Sequence, residues 1–301
     1  MLSNSHTNLT KTRQLRLCYY IRPESDHAFL LPDVFGGPFT GPCPPDVMGR
    51  TCGGEGCPHA HWEKGFASYS PLDLDGVDGS GDAYNMRPGA FAGLYFQSFK
   101  YFYPVKDQVK ELFRFHDSTK TTADQFIRSF LKRSEGEDVV RSKVTLIGVH
   151  IRRTENLFGV GSVDFPPEGY LDKAMKILET KRSWRSQLIY VVVAPSSEEW
   201  VEKFFKSRGK KAIYAWSRSH YDASGGSGGN SELAILASCD HMITTVGSFS
   251  WWAGWLSGGT VVYYRDHLNM SKPENRKQIV YGDLWPEEWV GITAEDIGKG
   301  E

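Results

Sequence analysis

Between residues 143 and 264 the chain repeatedly switches between runs that are apolar throughout and stretches that are apolar on one side only. The first kind comprises "KVTLIGVHI" (143–151), "SQLIYVVVAPS" (186–196), "KAIYAW" (211–216), "DHMITTVGS" (240–248) and "TVVYY" (260–264). These runs are short and rich in β-branched residues, and a strand without polar alternation must be covered on both faces. The second kind lies between them. "PEGYLDKAMKILETK" (167–181) gathers Leu171, Met175 and Leu178 on one helical face. "SSEEWVEKFFKSRG" (196–209) opens on a serine cap and an acidic turn and closes on glycine. "SELAILASC" (231–239) and "FSWWAGWLSGG" (249–259) read as two further helices. Strands that need cover on both faces, separated by helices, predict an α/β fold with a parallel, Rossmann-type sheet.

In such sheets ligands bind beyond the carboxyl ends of the strands. The first strand ends in "GVHIRRTE", which sets His150, Arg152, Arg153 and Glu155 at that edge. Two guanidiniums there can grip a phosphate or diphosphate through charge-assisted hydrogen bonds, or one can lie in solvent while the other pairs with Glu155. The fourth strand runs through Gly247 and Ser248 straight into a helix. Glycine permits a tight turn, and a helix N-terminus offers unpaired N–H groups to an anion; the same residues also suit a plain strand–helix junction capped by Ser248 or Ser250. Glu232 near the start of its helix either complements the helix dipole or accepts two N–H donors, as guanine presents. Trp251, Trp252 and Trp255 read as packing residues.

Composition narrows the function. The 301 residues are 40% hydrophobic and 24% charged with a formal net charge of −1. That is the profile of a globular protein with no bulk attraction for nucleic acid, so any anion must be captured locally. The first thirty residues contain no long apolar run, which predicts a chain that is soluble as given, with no signal or membrane anchor in it. Residues 1–90 are rich in Gly, Pro, Asp and Ser, as in "GGPFTGPCPP" and "PLDLDGVDGSGDAYN", and predict an irregular region. Residues 91–140 read as helical, with Val105, Val109, Leu112 and Phe113 at helical spacing and a second helix in "TTADQFIRSFLKRSE" (121–135), capped by Thr122 and stopped by Gly136. Residues 141–301 form the Rossmann-like domain.

Of the five cysteines, Cys43, Cys52 and Cys57 crowd together near His59 and His61, while Cys18 and Cys239 stand apart. The cluster is open to a disulfide, to free loop thiols or, against a spacing that matches no standard pattern, to zinc. Sequons at Asn8 and Asn269 fit a secretory protein. There is no Walker A motif, no H-E-x-x-H, and neither a G-x-G-x-x-G nor a G-x-S-x-G elbow directly after a strand. P-loop NTPases, simple dehydrogenases, α/β hydrolases and zincin peptidases are thereby disfavoured.

"VHIRRTE", then "SELAILASCDHMITTVGSFSWWAGWLSGGTVVYY", then "WPEEWVGI" resemble, in order and spacing, the galactoside α-1,2-fucosyltransferases. The resemblance runs from about Gly93 to Ile292. It implies a GT-B-like glycosyltransferase that uses GDP-β-L-fucose as donor, with no obligatory cofactor or metal. Fucose would pass with inversion to the 2-hydroxyl of a glycan acceptor ending in galactose. The resemblance further implies that His150, Arg152 and Arg153 hold the diphosphate, that Glu232 faces guanine, and that Gly247, Ser248 and Phe249 line the phosphate turn. His150, Arg152 and Glu155 are the implied catalytic residues, Glu155 as the candidate base by position. The family's usual home is the Golgi lumen, behind a membrane anchor. The sequence departs from the family pattern at Thr154-Glu155, where Gly-Asp is usual, at Glu232, where Asp is usual, and in having no "GGLGNQ" loop. Two other readings stay open: a fucosyltransferase with a different acceptor, and a homologue that binds nucleotide-sugar or glycan without turnover.

Overall fold

The structure is a computed structural model of the chain. It describes residues 17–19, 39–42, 98–135, 141–152, 165–180, 187–194, 198–215, 228–271, 273, 276 and 279–298. The chain divides into two compact units. The smaller comprises residues 1–62, 71–94 and 102–116. Its described part holds a parallel strand pair, β1 (Leu17–Tyr19) with β2 (Phe39–Pro42), and the helix α1 (Lys106–Leu112). On α1, Val109 and Leu112 are less exposed than their neighbours, as the helical spacing predicts.

The larger unit, residues 63–70, 95–101 and 117–301, is built on one six-stranded sheet. Its strands are β3 (Val144–His150), β4 (Gln187–Val193), β5 (Ala212–Tyr214), β6 (His241–Thr244), β7 (Val261–Tyr264) and β8 (Val290–Ile292). All neighbours are parallel and the order is β5-β4-β3-β6-β7-β8. The helices are α2 (Asp117–Glu135), α3 (Tyr170–Glu179), α4 (Glu198–Ser207), α5 (Gly228–Ala237), α6 (Ser248–Ser257), α7 (Tyr281–Leu284) and α8 (Ala294–Gly298). The α/β fold predicted from the alternation is the one observed. β8, a sixth strand, was not foreseen, because "VGI" is too short to show a period.

Side-chain alternation along β3 divides the core. Ile147, Val149 and Ile151 join Leu171, Met175 and Leu178 of α3 and Val201, Phe204 and Phe205 of α4 in one buried cluster. On the opposite face Gly148 lies against Met242 and Cys239, and α5 packs between α2 and α6. A hydroxyl ties α3 to the sheet, and a local cap ends α4. The Tyr170 hydroxyl, at the start of α3, donates to the Thr244 carbonyl at 2.5 Å and reaches the Val262 carbonyl at 3.3 Å. After α4 the Lys210 N–H donates to the Phe205 carbonyl at 3.0 Å and the Gly209 N–H to the Lys206 carbonyl at 3.1 Å. That is a Schellman stop with Gly209 at φ 61°. The glycine foreseen as the stop therefore performs it. Thr122, by contrast, does not cap a helix. α2 begins at Asp117, and the Thr122 hydroxyl bonds back to the Ser118 carbonyl at 3.0 Å inside it. Threonine satisfies its hydroxyl that way within a helix, so residue type alone misplaced the start.

Candidate functional site

The strand order makes the site. From β3 the chain steps outward through β4 to β5; it then returns to the other side of β3 and steps outward through β6 and β7 to β8. Connections leave β3 and β6 in opposite directions, and a crevice opens between their carboxyl ends. His150 pairs in register with Thr244 there, so the two segments singled out in the sequence, 148–152 and 245–250, end side by side.

Thr245 ties them together. Its hydroxyl donates to the His150 carbonyl at 3.2 Å and accepts the Arg152 N–H at 3.2 Å. The backbone that carries Arg152 is thus fixed beyond the last strand residue. The Arg152 guanidinium lies beside the turn into α6, where a Cβ added to Gly247 would stand 3.6 Å from Nη1. Gly247 is the N-cap of α6 and has φ 93° and ψ 159°, a conformation essentially restricted to glycine. No side chain caps the helix. Neither Ser248 nor Ser250 is therefore the N-cap: Ser248 is the first helical residue and exposed, and Ser250 is buried and engaged elsewhere. A guanidinium and an uncapped helix N-terminus at one turn are two anion-binding devices aimed at one place.

His150 is only 3% exposed. Its Nδ1 is 2.5 Å from the Ser250 hydroxyl, and its ring centroid is 4.9 Å from that of Phe249. Burial, assisted by the nearby Arg152 charge, holds the imidazole down at about 3. His150 is therefore neutral at physiological pH; it orients the first turn of α6 and adds no charge. Glu232 sits at the fifth position of α5, beyond its first turn, so the dipole reading does not describe it. It is 7% exposed, and burial lifts its carboxyl to about 7. Among the described residues it has no ion pair. A buried carboxyl of that kind favours a partner that brings N–H donors to it.

Thr245 and Ser250 are functional partners that sequence reasoning did not assign. The sequence offers Ser250 only as a cap, and nothing in the local pattern marks Thr245, because its partners His150 and Arg152 lie 95 and 93 residues away in the chain. Trp251, Trp252 and Trp255 form packed rings as expected; Trp251 stacks on Trp255 at 5.3 Å and meets Trp289 at 5.4 Å. Arg153, Glu155 and the cluster of Cys43, Cys52, Cys57, His59 and His61 lie outside the described residues. Cys239 is a free, buried thiol. No helix among the described residues is long and apolar enough to cross a membrane.

A parallel sheet with an anion-binding crevice at its switch point is an arrangement suited to a phosphate-bearing ligand. Residues 84–293 match the model of Glycosyl transferase family 11, and the chain belongs to that family. Among curated relatives, galactoside alpha-(1,2)-fucosyltransferase 2 of Rattus norvegicus is 27% identical over 228 residues, 71% of this chain and 57% of the relative. The protein of the same name from Oryctolagus cuniculus is 28% identical over 212 residues, 65% of this chain and 52% of the relative. The chain spans about half the length of the curated relatives it matches. Among solved structures, a glycosyl transferase of family 9 from Veillonella parvula aligns over 60% of this chain and 42% of its own, at 17% identity and a TM-score of 0.37. NodZ alpha-1,6-fucosyltransferase soaked with GDP-fucose aligns over 56% and 51%, at 15% identity and a TM-score of 0.33.

Proposed function

We propose that this chain is a GT-B-like, inverting fucosyltransferase that moves L-fucose from GDP-β-L-fucose to the 2-hydroxyl of a glycan ending in galactose. The observation that carries the reading is the meeting of the Arg152 guanidinium with the Gly247 turn at the N-terminus of α6. A diphosphate seated there accepts hydrogen bonds from Arg152, from the first-turn N–H groups and from Ser248. Arg153 adds a second cation by its place in the sequence, and Glu232 accepts the guanine N1–H and N2–H₂. Phe249 and neutral His150 form the wall of the turn.

In the reaction the bond from C1 of fucose to the GDP oxygen breaks, and GDP keeps the electron pair. The acceptor oxygen bonds C1 from the opposite face, and its proton passes to Glu155 or to a phosphate oxygen. Charge grows on the leaving diphosphate in the transition state, where preorganised donors act most strongly. Residues 141–301 hold the donor in this reading, while residues 1–90 and 91–140 contribute the acceptor side. The Golgi lumen is the compartment that suits such a reaction and the sequons.

Calorimetric titration of GDP, GDP-fucose and UDP-galactose into the purified chain tests the proposal. GDP and GDP-fucose should bind and UDP-galactose should not. Arg152→Ala should weaken GDP by about 10- to 100-fold, the effect of losing a charged donor, with an unchanged circular dichroism spectrum. GDP binding that is indifferent to Arg152→Ala would move the site elsewhere. Transfer should also persist in EDTA, and a strict requirement for a divalent ion would point to another way of stabilising the leaving group.

A further inference from the structure

Beyond the last paired residues of β3 and β6, one side chain stands where the next rung of the ladder would be. The register between the two strands ends at His150 and Thr244. A central strand in a parallel sheet turns the backbone groups of successive residues to opposite neighbours. The Ile151 N–H goes to the Val193 carbonyl at the end of β4, at 2.9 Å, so the His150 carbonyl and the Arg152 N–H on either side of it face β6. Both meet the Thr245 hydroxyl, which donates to the first and accepts from the second, each at 3.2 Å.

A side-chain rung does what a backbone rung cannot. A backbone rung through Thr245 would keep β6 extended alongside β3. The hydroxyl leaves the main chain free to depart, and two residues later it reaches the φ of 93° at Gly247 from which α6 begins. The end of β3 stays held all the same. Only a group that donates and accepts at one atom can make both bonds, and a hydroxyl is such a group. Valine has nearly the same shape and offers neither. Thr245 is 1% exposed, so bulk water does not compete for its two partners.

The rung holds the backbone of Arg152, whose guanidinium lies beside the Gly247 turn. A binding group works best when its support fixes it to within about 0.5 Å, and arginine has a long side chain that magnifies any error at its root. The same residue thus releases β6 into the turn and fixes the cation that faces the turn. We propose that Thr245 is a positioning residue for anion binding: its hydroxyl fixes the Arg152 backbone so that the guanidinium and the N-terminus of α6 meet one diphosphate. The inference deepens the donor reading above and rests on it for the identity of that anion as the diphosphate of GDP.

The test measures the Kd of GDP and of inorganic diphosphate on the full chain. It compares wild type, Thr245→Val and Thr245→Ser, each with Arg152 intact and with Arg152→Ala. Thr245→Val should weaken both ligands by about tenfold, and Thr245→Ser, which keeps the hydroxyl, should bind within about twofold of wild type. In the Arg152→Ala background Thr245→Val should change neither Kd, because the group that it positions is gone. A purely structural role would weaken binding equally in the two backgrounds, and that result overturns the proposal. So does Thr245→Val binding at wild-type strength, or Thr245→Ser binding as weakly as Thr245→Val. Thr245→Ala removes the hydroxyl with less bulk and takes the place of Thr245→Val if that variant does not fold. Wild type that binds inorganic diphosphate but not GDP would refute the GDP-fucose reading, while the variants still decide the role of Thr245 through inorganic diphosphate. Wild type that binds neither overturns both.

Discussion

Gly247 answers a requirement of the backbone. Its φ of 93° and ψ of 159° fall where a side chain costs about 1–3 kcal/mol, and Arg152 lies against the turn. The 3.6 Å contact that alanine would make is an ordinary one, so the penalty of Gly247→Ala is mainly in the backbone. The variant should melt at a lower temperature, and GDP affinity should fall with it as the first turn of α6 relaxes. Equal melting and equal affinity would mean that the turn is not strained. Glu232 is the converse case, a residue retained at a cost. Its carboxyl is raised from 4.5 to about 7 by burial, which corresponds to about 3 kcal/mol against the charged form. Glu232→Gln removes that cost. It should stabilise the protein more at pH 7.5 than at pH 4.5 and, if Glu232 meets guanine, weaken GDP. A variant no more stabilised at the higher pH would contradict the burial argument.

At the scale of elements, α3 is fastened to the sheet by one hydroxyl. Tyr170 is buried and donates to the carbonyls of Thr244 and Val262, so its phenol reaches past β6 to β7. Tyr170→Phe preserves the ring and leaves those acceptors one donor short, a loss of about 1–3 kcal/mol. Thermal or urea denaturation should show it, and a change within error would mean that water replaces the phenol. Elements were legible in the sequence where their signal was long. The apolar runs of β3 and β4 and the face formed by Leu171, Met175 and Leu178 of α3 lie where periodicity put them. The start of α2 did not, because Thr122 satisfies itself against Ser118 and the helix continues upstream to Asp117. β8 exists through its pairing with β7, which no three-residue pattern can announce.

At the scale of the molecule, three buried groups among the described residues carry a pH dependence of stability. Burial holds His150 at about 3 and His267 at about 4, below the ordinary 6.5. Below pH 6.5 the unfolded chain binds a proton at each histidine that the folded chain refuses, so stability falls as pH drops from 6.5 toward 4. Glu232 acts in the opposite sense: its contribution is present below 4.5 and is lost as pH rises through about 7. Two histidines outweigh one carboxyl between pH 4.5 and 6.5. Melting temperature should therefore rise across that interval, and more steeply in Glu232→Gln; a flat profile would show that the imidazoles are not held neutral. Read alone, the sequence settles the α/β class, the strand that ends in Arg152 and the glycine turn that starts a helix, because periodicity and turn chemistry are local and each segment carries its own. Tertiary structure decides the strand order that makes β3 and β6 neighbours. It also decides the Thr245 bridge, the burial that keeps His150 neutral and the burial that raises the Glu232 carboxyl. Those depend on which surfaces meet across about a hundred residues of chain, and free energies of burial are set by the neighbours a residue acquires, not by the residue itself.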